Sequence, residues 1–541
     1  MQYDNGGELL VAHLESLGID TVFGIVSVHN LPLVEAVDRH LRFVPVRHEA
    51  TAVNAADGYG RARGSIGCAL TSTGTGAGNA AGSLIEALSA GTAVLHVTGQ
   101  VESQYLGSGR GFIHETKDQL GMLGAVSTYA ATVTSARDAG HVLREASAAA
   151  LATPGGPASV EWPIDLQYAA QEDAGEAVPS GGAPSPHAAE LAAAQALLAE
   201  SRRPLIWAGG GARHARRELA ALLEATGAGL LSSNSGRGSV PEDHPLVIGN
   251  FATDPAVRAL LADADVLVTI GTHFRSNETA DYNLKLPGAH IQIDADAAAL
   301  GRVYPARHAL HAEAAAVLPA LTGAAFRADA DWSARVTAVR DEVRAALHDD
   351  IGPQAALCDA LAAALPRGAV VARDVTIPSS SWGNRLLPIH DPRANVFPRG
   401  GGIGQGLGMG IGAALARPDE PTVVIAGDGG LAVHLGELLT VAQERPRLTL
   451  IVFNDGGYGV LRNMQDKYGE RRSGVDLFTP DFGPLAAACA LPYARIAAPE
   501  EAAPVLEAAL ASDGPTLVEV DLTALGPMKN PFTPPVKIPT A

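Results

Sequence analysis

Cysteine, positive charge and long apolar runs are all scarce in this chain. Its three cysteines, Cys68, Cys358 and Cys489, stand far apart, which excludes a disulfide framework or a zinc spacing and fits a reducing compartment. Lysine and arginine number 39 against 58 aspartates and glutamates, a formal net charge of −19 with no compact basic run. Nucleic acid is therefore excluded as the main partner. No apolar run reaches membrane-spanning length. The N-terminal segment MQYDNGGELLVAHLESLGI is amphipathic and lacks a charged region ahead of an apolar one, so neither a signal peptide nor a membrane partner is expected, and the expected location is the cytoplasm.

What is present is a regular alternation of strand and helix. A length of 541 residues exceeds one core and implies three or four domains, and 47% apolar with 18% charged residues marks an ordered globular chain. In the first part, helical spacing at 6–17 and 31–41 alternates with apolar runs at 21–23, 43–46, 67–70, 93–98 and 158–161. That is the pattern of an α/β doubly wound parallel sheet. The predicted division is a first domain at 1–166, a Pro/Gly/Ser-rich linker at 167–187 and a central α/β domain at 188–330. A helical connection at 331–352, a third domain at 353–526 and a tail at 527–541 follow. The first and third domains read as two versions of one α/β plan.

The third domain holds the stretch around which the chain is organised. An apolar run at 422–426 leads into Gly427-Asp428-Gly429-Gly430, a helix is predicted over 431–443, and a second apolar run at 448–453 ends in Asn454-Asp455-Gly456-Gly457. Each Asp-Gly pair alone is ordinary turn chemistry. Together they put two carboxylates, 27 residues apart, at neighbouring carboxyl ends of a parallel sheet, where such sheets bind ligands. Two hard oxygen ligands beside a glycine-rich backbone suit a magnesium ion bridging to phosphates.

With these motifs the chain resembles the thiamine diphosphate enzymes of the acetolactate synthase, benzoylformate decarboxylase and benzaldehyde lyase superfamily. Their metal motif is Gly-Asp-Gly, followed one strand-helix-strand step later by Asn-Asn. Here Asp455 replaces the usual second asparagine, and Gly430 stands where serine or alanine is common. The resemblance implies three doubly wound domains, named for binding pyrimidine, for their central place and for binding diphosphate. It implies Mg2+ held by Asp428, Asp455 and the Gly457 carbonyl. Gly427, Gly429, Gly430 and Tyr458 would lie on the cofactor.

Two further constellations fit the same resemblance. Arg47-His48-Glu49-Ala50 with Ala55-Ala56-Asp57-Gly58-Tyr59 is similar to the family's glutamate motif, which makes Glu49 the carboxyl that exchanges a proton with the cofactor's pyrimidine. Arg399 to Gly408 is glycine-dense, with Gly401 and Gly402 near the diphosphate and Ile403 as the apolar wedge beneath the cofactor. His29 and His114 stand in loops where the family carries proton-handling side chains. Ser72 and Asn277 stand where benzoylformate decarboxylase has histidines, which argues against that activity in its plain form.

Val460, Leu461 and Met464, at helical spacing after Gly459, are read either as core or as substrate contacts, and the Pro-rich tail from Met528 as a lid. Gly209-Gly210-Gly211 is weak evidence for any dinucleotide, and no flavin is expected. The expected activity is making or breaking a carbon–carbon bond beside a carbonyl, by 2-oxo acid decarboxylation, carboligation or aldehyde lyase chemistry. Acetolactate synthase-like acyl transfer and a non-catalytic cofactor-binding protein are the alternatives. The expected partners are a small 2-oxo acid or aldehyde and further copies of the chain, as a homodimer or homotetramer.

Overall fold

Three parallel six-stranded sheets, each flanked by helices, carry the chain. The computed structural model describes residues 1–175, 184–323, 327–469 and 471–534; parts of the linker read at 167–187 and of the tail read at 527–541 therefore lie outside the described residues. The first sheet takes Thr21–Gly24, Arg42–Pro45, Gly67–Thr71, Val94–Gln100, Tyr129–Thr132 and Pro157–Pro163, in spatial order 2-1-3-4-6-5. The third takes Val370–Arg373, Asn395–Val396, Thr422–Gly427, Leu448–Asn454, Tyr493–Ile496 and Thr516–Asp521 in the same order, 2-1-3-4-6-5. The central sheet begins with Pro204–Ala208 and Gly229–Ser232, ends with His308–His311, and is ordered 3-2-1-4-5-6. Continuous apolar runs form these strands because helices cover both faces of a parallel sheet. Val94–Gln100 is buried along its whole length, and so is Thr422–Gly427.

The strand order reverses between the first and third strands of the outer sheets, which opens a crevice at their carboxyl ends. Both outer domains bring their chemistry to that edge. They also meet within the chain through equivalent helices, Glu49–Arg63 and Gly406–Ala416, each following its domain's second strand. The approach is close: a Cβ on Gly412 would stand 1.8 Å from the Ala55 carbonyl oxygen. A buried ion pair, Arg61 Nε to Asp57 Oδ1 at 2.7 Å, reinforces this contact, since Arg61 Nη1 also donates to the Phe397 carbonyl at 2.7 Å.

One predicted helix is broken. In place of a continuous helix over 431–443 the chain makes one turn at Asp428–Leu431, a 3-10 segment at Ala432–Glu437 and a helix at Leu438–Glu444. His434 breaks it with φ −127° and ψ 40°. Its Nδ1 pairs with the Gly404 carbonyl at 2.8 Å, and Glu437 accepts the Arg47 N–H at 3.0 Å. Tertiary hydrogen bonds thus override the helical spacing. The strands Val247–Gly249 and Asn395–Val396 carry too few residues to show a period, and Tyr129–Thr132, half-buried at the edge of its sheet, is not a continuous apolar run. Among the described residues no helix is long and apolar enough to cross a membrane.

Candidate active site

Asp428 follows the buried strand Thr422–Gly427 and is itself only 2% exposed. Its Oδ1 faces the Asp455 N–H at 3.5 Å, and its Oδ2 is buried with no hydrogen-bond partner. Burial raises the Asp428 carboxyl above its ordinary range. Burial, and then the charge of Asp428, push Asp455 up to about 6. Gly457 adopts φ 148°, and its carbonyl oxygen lies 2.8 Å from where a Cβ on Gly429 would stand. Two crowded carboxylates, an orphaned carboxylate oxygen and a convergent carbonyl form a hard-oxygen donor set that fits a divalent cation. The ring of Tyr458 lies against Gly429. Gly427 and Gly430 flank Asp428 and Gly429 and are buried with them.

Val460, Leu461 and Met464 lie on the helix Gly459–Tyr468, which has no buried residue. Leu461 is 48% exposed, so these side chains are not core. Asn463 donates to the Phe532 carbonyl at 2.9 Å, laying the start of the tail across this helix.

Beside the Asp428 loop, where a Cβ on Gly404 would stand 3.0 Å from the Gly430 carbonyl oxygen, Gly401 and Gly402 lead to Ile403, which is 39% exposed. Both carboxylate oxygens of the buried Glu86, in the first domain, hold this loop, Oε1 accepting the Gly402 N–H at 2.7 Å and Oε2 the Gly400 N–H. Gly404 donates to Asp374 Oδ2 at 2.9 Å. Burial drives the Asp374 carboxyl up to about 7, against N–H donors from Val375, Gly404, Gly406 and Gln405 that favour its ionised form.

In the first domain Glu49 opens its helix, and the His48 side chain caps it by accepting the Ala50 N–H at 3.2 Å. Glu49 Oε2 accepts from Asn79 Nδ2 at 3.0 Å. His29 is buried, and its Nε2 pairs with Nδ1 of the exposed His114 at 3.1 Å. Burial, and then His114, lower the His29 imidazole below its ordinary range. Gln119 anchors the His114 loop, donating to the buried Glu161 at 2.8 Å while accepting the Gly74 N–H at 2.7 Å.

Comparison with known proteins agrees with this geometry. Residues 4–122 match the N-terminal thiamine pyrophosphate-binding domain of thiamine pyrophosphate enzymes, 191–321 their central domain and 378–520 their C-terminal thiamine pyrophosphate-binding domain. A probable 2-ketoarginine decarboxylase of Pseudomonas aeruginosa is 33% identical, over 95% of this chain and 93% of the relative. The large subunit of acetolactate synthase isozyme 2 of Escherichia coli is 29% identical, over 96% of each. A probable acetolactate synthase large subunit of Methanocaldococcus jannaschii is 28% identical, over 95% of this chain and 91% of the relative. The chain belongs to the thiamine pyrophosphate enzymes. Its reaction class is 2-oxo acid decarboxylation or carboligation.

For a thiamine pyrophosphate enzyme, the side chains missed in the sequence are informative. Asp374 carries the same signal as Asp428, a carboxylate at the end of an apolar run, but its strand Val370–Arg373 is only four residues long. Glu86 lies inside the helix Thr75–Ala90 and Arg462 inside Gly459–Tyr468. A charged residue within a helix gives no sign in sequence of the loop it reaches.

Proposed function

We propose that this enzyme uses thiamine diphosphate with Mg2+ to decarboxylate a 2-oxo acid and to join or cleave the resulting aldehyde unit. Asp428 with its unpartnered Oδ2 is the observation that carries the reading, since a buried, crowded carboxylate pair favours a bound dication. Asp428, Asp455 and the Gly457 carbonyl hold the metal, and Gly401, Gly402, Gly427, Gly429, Gly430, Tyr458 and Ile403 line the cofactor. Bound thiamine diphosphate supplies an electron sink for carbon–carbon cleavage. Glu49, oriented by Asn79, holds and returns the proton at the pyrimidine nitrogen.

His29 and His114 share one hydrogen bond and handle the proton of the substrate oxygen, with His29 kept neutral in its buried setting. That pair supports carboligase or lyase chemistry beside decarboxylation. Val460, Leu461 and Met464 face an apolar substrate side chain of medium size, under the tail. The reading needs no flavin. A cytoplasmic homodimer, or a dimer of such dimers, completes it, with Glu49 of one copy meeting Asp428 of the next. The exposed apolar side chains Val26, Val28, Leu31, Ile113 and Ile403 support that arrangement.

Calorimetric titration with thiamine diphosphate and Mg2+ tests the cofactor. Carbon dioxide release from a panel of 2-oxo acids, with 2-ketoarginine among them, tests the reaction. Binding without turnover of any donor would overturn the activity, and sedimentation of an active monomer would overturn the assembly.

A further inference from the structure

The metal loop leans on a cation that the reading above leaves unused. Arg462, on the helix Gly459–Tyr468, has a side chain only 14% exposed and reaches back over the loop 454–457. Its Nη1 donates to the Asp455 carbonyl at 3.1 Å and its Nη2 to the Gly456 carbonyl at 3.2 Å. Nη1 also stands 3.5 Å from Asp455 Oδ2. Nε donates to Asp476 Oδ1 at 2.8 Å, on the solvent side. The same loop is also pinned by the segment that carries Asp476, where Tyr458 N–H meets the Val475 carbonyl and Leu477 N–H meets the Gly456 carbonyl, each at 2.9 Å. Arg462 thus holds the backbone of the loop and stands beside the Asp455 carboxylate at its edge.

A fixed guanidinium this close to a cation site opposes the cation by like-charge repulsion. With a neutral amide at position 455, the site would face a dication with one carboxylate, Asp428, and Arg462 would be offset only by Asp476, whose side chain is 62% exposed and screened by solvent. A carboxylate there restores the balance, because Asp455 cancels Arg462 and leaves the charge of Asp428 for the metal. We infer that Arg462 and Asp455 are a matched pair: Arg462 is a positioning residue that fixes the metal loop, and its charge makes a carboxylate, in place of the asparagine common in this motif, necessary at position 455.

This rests on the reading of Asp428, Asp455 and Gly457 as metal ligands. The test is Mn2+ binding in the presence of thiamine diphosphate, read from the paramagnetic resonance signal of free Mn2+, so no turnover enters it. With Arg462 present, Asp455→Asn is expected to weaken Mn2+ binding about tenfold; in an Arg462→Gln background the same change is expected to cost less than about threefold. Arg462→Met replaces Arg462→Gln if the latter chain does not fold. Arg462→Lys keeps the charge without the fork and should keep the full penalty of Asp455→Asn. Equal penalties in both backgrounds, or an Arg462→Lys chain that behaves like Arg462→Gln, would overturn the inference and leave the ligand assignment standing. A wild-type chain that binds no Mn2+ with thiamine diphosphate would overturn both.

Discussion

The first and third domains share one strand order and one crevice, yet they fill matching positions with opposite chemistry. After its first strand, the first domain places His29 and the third places Asp374; after the fourth strand come His114 and Asp455. After the second strand one carries Glu49 and the other the glycine loop to Ile403. The first domain holds two imidazoles joined by a hydrogen bond, and the third holds carboxylates buried until their ionisation is costly, Asp455 with the charge of Asp428 added. One plan therefore serves two tasks. In the reading proposed above, the imidazoles and a half-buried glutamate take the proton exchange, and the buried carboxylates and close-packed glycines take the cation and its phosphates.

If that division holds, damage to the first domain should spoil turnover and damage to the third should spoil binding. The largest effect is expected for Glu49→Gln, since an amide cannot exchange the proton. Turnover of any 2-oxo acid should fall by about two orders of magnitude or more, with thiamine diphosphate affinity within about threefold of wild type. Comparable losses of affinity and turnover would show that Glu49 belongs to the binding half. Asp428→Ala should do the reverse, weakening cofactor binding roughly 100-fold at moderate magnesium, as calorimetry would report. Retained affinity would reduce the Gly-Asp-Gly motif to a turn.

A smaller effect tests the bridge between the two halves. Glu86 is a first-domain residue whose carboxylate accepts the Gly400 and Gly402 N–H groups of the third domain. In Glu86→Gln one acceptor becomes an amide donor facing an N–H, which should cost about 2 kcal/mol in denaturant unfolding. No loss would mean that the loop holds its shape unaided.

Glu86 also shows where the sequence stops being readable. The outer sheets could be read from it because buried parallel strands are continuous apolar runs, such as the residues of Val94–Gln100 and Thr422–Gly427. Glu49, Asp428 and Asp455 could be read because each stands at the start or end of such an element. Glu86 could not, because it acts across space on a loop 314 residues away, and Arg462 could not, because nothing in a helix's sequence shows that a side chain folds back over the loop before it. The kink at His434 escaped for a related reason, since its hydrogen bond to Gly404 joins segments 30 residues apart.

The last prediction concerns pH and is the smallest at neutrality. His96 lies in the buried strand Val94–Gln100, between Thr71 Oγ1 at 2.8 Å and Ser159 Oγ at 3.1 Å, and burial lowers its imidazole to about 4. His13 in the same domain is likewise lowered to about 4, by burial and then by Arg144. The matching strand of the third domain, Leu448–Asn454, has no ionisable side chain, whereas Asp374, at the end of that sheet's first strand, is raised by burial to about 7. The signs are opposite. Between the ordinary histidine value and about 4 the unfolded first domain binds more protons than the folded one, so lowering the pH destabilises it. Between about 7 and the ordinary aspartate value the folded third domain holds the extra proton, so the same change stabilises it. Hydrogen exchange of the cofactor-free protein at pH 7 and pH 5, corrected for intrinsic rates, should show protection falling in Val94–Gln100 and rising in Val370–Arg373. His96→Gln should flatten the first trend, and Asp374→Asn the second. Parallel movement of both strands would mean that the two domains unfold as one cooperative unit, joined by the contact between Glu49–Arg63 and Gly406–Ala416.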